Sequence, residues 1–198
     1  MPRVNVLPQR LPRGIADGIG RNVGRLGVTP NMISLFGLGG NLVAAWLIMR
    51  EAVVWAGVVY LVFSALDFVD GAVARATGTA SKFGAVFDSV LDRVSEVIVL
   101  AACAFYFGER GEYVQAAVTY AAIFGSVAVS YMRARAEVVG TPMRDGLFRR
   151  QERVALLGIG LLLNGLTVIM WPLAVLSNIT ALQRFVILAR TLPRTPEA

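Results

Sequence analysis

Four aspartates, Asp67, Asp70, Asp88 and Asp92, lie in the stretch DFVDGAVARATGTASKFGAVFDSVLD between two strongly apolar runs. Asp67 and Asp70 are three residues apart and Asp88 and Asp92 are four apart, so on helices each pair shares one face. Only RATGTASK and a few further residues separate the pairs. Two antiparallel helices joined there bring all four carboxylates together. Carboxylates gathered in this way repel one another unless a cation sits among them, and one or two hard divalent ions, Mg2+ or Mn2+, are the natural resolution. Gly71, Ala74 and Gly84 keep small residues beside the acids, where a ligand or a second backbone must come close. Arg75 adds a planar cation suited to phosphate. The chain contains no histidine, so a general base in this site is a carboxylate, or else Lys, Tyr or the single Cys. A metal-held diphosphate beside a carboxylate base suggests transfer of a lipid phosphoryl group to an alcohol. The same residues could instead serve an ion-paired network with Arg75 and Arg93, a cation path through a transporter, or an Asp-rich prenyltransferase.

The elements that must position these residues belong to a membrane. The 198 residues are 56% hydrophobic with a mean hydropathy of +0.64, too apolar for a water-soluble domain. Six apolar runs read as spans, approximately Met32 to Met49, Val53 to Leu66, Phe87 to Tyr106, Ala116 to Met132, Val154 to Met170 and Trp171 to Leu188. The first lacks the short apolar core and cleavage site of a secretory signal and is read as retained. Seventeen of the nineteen basic residues fall on one side of that topology, with Arg50 and Arg110 on the other. This bias places both termini and the aspartates at the cytoplasmic face and accounts for the net charge of +6 without nucleic acid. The fold class expected is all-α, a single domain over 1–198 in which 1–28 form an interfacial helix and 29–190 a six-helix bundle. Leu11, Ile15, Ile19 and Val23 make the apolar stripe of that interfacial helix, with Arg13, Asp17, Arg21 and Arg25 on other faces. Pro30 and Asn31 supply a break and N-cap before the first span, which leaves free N–H groups as an anion site. Cys103 is alone, so it forms no intrachain disulfide and reads as a small buried apolar residue.

The acids stand at the spacing D-x2-D-G-x2-A-R-x8-G-x3-D-x3-D with every fixed position filled. This resembles the signature of the CDP-alcohol phosphatidyltransferase family. The resemblance implies a six-helix membrane fold, usually a homodimer, in which an acceptor hydroxyl attacks the lipid-side phosphorus of a CDP-linked lipid and CMP leaves. It implies that Asp67, Asp70, Asp88 and Asp92 are metal ligands and that Asp92 is also the proton acceptor. Gly71, Arg75 and Ser81 would contact the CDP moiety, as would Asn31, Met32, Ile33 and Ser34, with Ala74 and Gly84 lining the same place. The donor would be CDP-diacylglycerol or CDP-archaeol.

The acceptor must be read from the other cytoplasmic segments. SYMRARAE and RRQERV supply Arg133, Arg135, Arg150 and Arg153, and LQR supplies Arg184. Several arginines around a site that already holds a cation make sense for an alcohol that brings its own phosphate. These segments resemble the branch of the family that acts on inositol 1-phosphate, although a lysine is common where Arg133 stands and RRQER has arginine where an acid is frequent. The resemblance assigns Arg133, Arg153 and Arg184, with Arg135, to the phosphate of the acceptor. Glycerol 3-phosphate is the alternative acceptor, and binding without turnover is a third reading.

Overall fold

The computed structural model describes residues 27–192 except 142, 144 and 145. The interfacial helix expected over 1–28 lies outside these residues but for its last two. All regular structure among the described residues is helical: α1 (Pro30–Met49), α2 (Val53–Ser64), α3 (Asp67–Ala76), α4 (Lys82–Glu109), α5 (Tyr113–Val138), α6 (Arg150–Leu162) and α7 (Leu166–Thr191).

The helix starts follow local chemistry. Thr29, rather than Asn31, caps α1: its Oγ1 accepts from Met32 N at 3.3 Å, and Pro30 takes the first helical position, where no N–H is missed. Ser81 caps α4 by accepting from Gly84 N at 2.9 Å. Glu51, Gly111 and Asn164 take positive φ at the turns after α1, α4 and α6.

Four stretches are long and apolar enough to cross a membrane: α1, α2 with α3 (Val53–Ala76), α5 and α7. Two of the expected six spans do not meet that description. The one in α4 carries Asp88, Asp92, Arg93 and Glu96, while α6 has only 13 residues, roughly 20 Å against the ~30 Å of a hydrocarbon core. The last two runs also divide elsewhere than expected. The break falls at Asn164 and Gly165, where Asn164 adopts φ 51°, and α7 then runs unbroken through Pro172.

Large apolar side chains such as Phe36, Trp55, Phe124, Val168 and Phe185 face outward, as in a protein whose solvent is lipid, while Tyr60, Leu100, Phe107, Leu157 and Met170 fill the interior. Where lipid surrounds the bundle, helices are held by close packing at small residues rather than by burial of apolar area. Gly40 lies under the ring of Phe63 between α1 and α2, Gly57 lies against the Leu161–Leu162 backbone of α6, and Gly125 of α5 lies against Ser177 and Asn178 of α7. Asn178 Nδ2 donates to Ala121 O at 2.8 Å and fastens that last pair.

Candidate active site

After α2 ends at Ser64, two residues turn the chain into the short helix α3, which opens on Asp67 and presents Asp70 one turn later. Asp70 is buried beneath the start of α1, where Ser34 Oγ donates to its Oδ2 at 3.0 Å. Gly37 provides room for the other acid: a Cβ there would lie 3.8 Å from Asp67 Oδ1. On α4, Asp88 lies near Asp70 and Asp92 near Asp67, close enough for the carboxylates to feel one another's charge. The two pairs expected from the spacing are thus brought near one another without closing into a cage.

A guanidinium lies among them. Arg150, at the first position of α6, sets Nη1 2.7 Å from Asp67 Oδ2 and 2.9 Å from Asp92 Oδ2. Among the described residues no three acidic side chains converge as a ready-made ion cage. The chemistry of the set is nevertheless that of a hard-cation site, because it offers carboxylate and hydroxyl oxygens and neither imidazole nor thiolate.

The expected CDP contacts divide in two. Asn31, Ser81 and Gly84 converge: a Cβ at Gly84 would stand 3.1 Å from Ser81 Oγ and 3.5 Å from Asn31 Oδ1. Arg75 folds back over Gly71, its Nη1 3.3 Å from where a Cβ there would be. Ala74 is half-buried on the same helix. Met32, in contrast, is exposed on α1, and Ile33 is buried in the bundle.

The acceptor arginines are not gathered into one cluster. Arg133 is exposed at the end of α5 and pairs with Glu137 at 3.0 Å. Arg135, also exposed, borders an apolar groove of about 400 Å³ with Tyr131, Phe185 and Leu188. Arg184 is buried, donates to Val129 O at 2.6 Å and lies against Gly146. Arg153 is buried as well and spends its fork on Glu96, through Nε at 2.6 Å and Nη2 at 2.9 Å, with Nη1 3.5 Å from Phe148 O. Arg153 and Arg184 thus flank the segment that enters α6, whose Phe148 N donates to Thr180 Oγ1 at 3.1 Å.

Residues 27–189, which contain every element of this site, match the profile of the CDP-alcohol phosphatidyltransferases. The chain belongs to that family. Members transfer a phosphatidyl group from CDP-diacylglycerol to an alcohol, and the matched residues of this transferase include all four aspartates. It is 37% identical over 169 residues to the archaetidylinositol phosphate synthase of Pyrococcus horikoshii, covering 85% of this chain and 87% of that one. It is 35% identical to the phosphatidylinositol phosphate synthase of Mycobacteroides abscessus over 81% of this chain and 77% of that one. The phosphatidylinositol phosphate synthase of Mycobacterium tuberculosis, solved with CDP-DAG bound, superposes with a TM-score of 0.84 at 29% identity, covering 93% of this transferase and 99% of that chain. The same enzyme solved with manganese and citrate gives a TM-score of 0.82 at the same identity, over 92% of this chain and 93% of that one.

Two residues of this site were not assigned to it from sequence. Arg150 was one of several arginines in a basic run, and nothing in that run marks which of them turns toward the acids. Glu96 carried a signal: it lies four residues after Asp92 in an apolar run, hence on the same helix face.

Proposed function

We propose that the transferase joins a CDP-linked lipid, CDP-diacylglycerol or CDP-archaeol, to inositol 1-phosphate, giving a phosphatidylinositol phosphate (or its archaeol counterpart) and CMP. The observation that carries this reading is the match, over four fifths of the chain, to relatives named for that product. The arginines at the ends of α5, α6 and α7 support it, since an acceptor that brings its own phosphate gives them a partner.

Asp67, Asp70, Asp88 and Asp92 would hold Mg2+ or Mn2+, most economically two ions, which when bound supply Lewis-acid neutralisation of the diphosphate and of the departing CMP. Ser34 fixes the rotamer of Asp70 by donating to it. Arg75 offers a planar fork to the diphosphate, and Gly71 and Gly84 leave the backbone bare so that the nucleotide can approach between Asn31 and Ser81. Asp92 accepts the proton of the acceptor hydroxyl. The hydroxyl oxygen forms its bond to the lipid-side phosphorus as the bond to the CMP oxygen breaks. Arg133 and Arg184, with Arg135 at the rim, bind the acceptor's phosphate; Arg153 serves the same pocket by holding α6 in place through Glu96.

The whole chain acts as one domain of six spans in the cytoplasmic membrane. Both termini and the site face the cytoplasm, residues 1–28 lie along the interface, and two copies assemble as a homodimer; the distribution of arginines supports the sidedness.

The test is CMP release by purified protein supplied with CDP-diacylglycerol and Mg2+, comparing inositol 1-phosphate with glycerol 3-phosphate. Release with inositol 1-phosphate alone is expected. Release with glycerol 3-phosphate alone would refute the acceptor while leaving the family chemistry intact.

A further inference from the structure

Two rungs join α4 to α6. Asp92 and Glu96 are one turn apart on α4, Arg150 and Arg153 are three residues apart on α6, and each arginine meets one of these acids. The rungs are not alike. The inner one is a closed fork on a single carboxylate, with side chains only 2% and 3% exposed. The outer one is open: a single nitrogen, Nη1, is shared between Asp67 and Asp92, and these side chains are 20–25% exposed. Arg150 Nε is buried and finds no hydrogen-bond partner. An arginine that holds carboxylates well uses two parallel N–H donors on one group, so Arg150 gives its charge to the site with its Nε–H unspent.

The backbone of Arg150 is nonetheless fixed. Arg149 N donates to Glu152 Oε2 at 2.8 Å, closing the first turn of α6, and Arg153 anchors the next turn to Glu96. Any exchange at the outer rung is therefore made by the Arg150 side chain alone.

We infer that Arg150 is the resident countercation of the aspartate site, and that it competes with the divalent metal for the oxygens of Asp67 and Asp92. This rests on the reading above that the four aspartates hold the metal. Two positive groups cannot share those oxygens without repelling one another, and an Nη1 within 3 Å of both carboxylates occupies the space a bound ion would need. The arginine keeps the acids compensated between metal-binding events, and it sets the metal affinity below what four bare carboxylates would give.

The experiment is a titration of the full-length protein in detergent with Mn2+ alone, reading free Mn2+ by electron paramagnetic resonance, with no substrate present. Arg150→Gln is compared with wild type and with Arg110→Gln, which removes one positive charge from the surface pairs with Glu51 and Glu112. Arg150→Gln is expected to bind Mn2+ about fivefold more tightly, the scale of a partly exposed ion pair released from competition. Arg110→Gln is expected to match wild type. Arg150→Lys, which keeps a charge on a more flexible stem, is expected between wild type and Gln, and decides the matter where the Gln variant does not fold. Unchanged or weaker binding in the Arg150 variants would overturn the competition while leaving the metal site standing. Absence of Mn2+ binding in every protein, wild type included, would overturn the metal reading and the inference with it.

Discussion

Replacing Glu96 by Gln leaves the Arg153 guanidinium 2% exposed and without its carboxylate. Among the described residues the remaining contact is the carbonyl of Phe148 at 3.5 Å, at the limit of a hydrogen bond. Two N–H donors, now at 2.6 and 2.9 Å from carboxylate oxygens, would face a neutral amide that can accept at one atom only. Breaking one partner of a buried pair costs about 3–5 kcal/mol, whereas replacing both by apolar groups of similar size is often close to neutral. The single variant Glu96→Gln is therefore expected to lower stability by about 3 kcal/mol. The double variant Glu96→Gln/Arg153→Met should recover part of that loss, because it removes the unpaired buried charge but keeps a buried amide. The assay is reversible unfolding in detergent, read as a double-mutant cycle with Arg153→Met as the fourth corner, so that the coupling is separated from the individual costs. A Glu96→Gln loss within 1 kcal/mol of wild type, the size of an exposed pair, would refute the claim that this rung anchors α6. A further variant tests the placement of Arg153. If the residue acts through α6, Arg153→Lys lowers kcat and raises both Michaelis constants, while a direct phosphate ligand would raise the acceptor's KM alone.

Asp92→Asn is expected to abolish CMP release while CDP-lipid binding by the purified protein stays measurable, since the amide keeps the shape but accepts no proton; retained turnover would remove Asp92 from the base role. Gly125→Ala would set a methyl 2.7 Å from Ser177 Cβ and 2.9 Å from the Asn178 backbone nitrogen, forcing α5 and α7 apart. A loss of about 1–3 kcal/mol in the same unfolding assay is expected for that overpacking, and an unchanged variant would show that the helices close less tightly than described.

The sequence by itself determined the family of this protein and the class of reaction that goes with it. Carboxylates at three- and four-residue spacing, with glycines and one arginine at fixed offsets, are local facts, because helical periodicity alone decides which of them share a face. Membrane residence and the grouping of basic residues follow equally from composition, which needs no fold to be read. Ser81 as a cap is legible for the same reason: its partner is three residues away. The break between the last two helices was less so: the apolar runs were divided between Met170 and Trp171, yet a turn at Asn164 and Gly165 ends α6 and Pro172 is carried inside α7.

Only the tertiary structure decided which arginine does what. Arg150 and Arg153 differ in sequence by position alone, but one meets the aspartates and the other is closed on Glu96, because α6 reaches α4 at a single rotation about its axis. Arg133 and Arg184, read as equals from the sequence, stand respectively exposed on the surface and buried against Val129 and Gly146. A long cation can satisfy a charge anywhere within its reach, so its identity says that a negative group is near and the packing of the helices says which one.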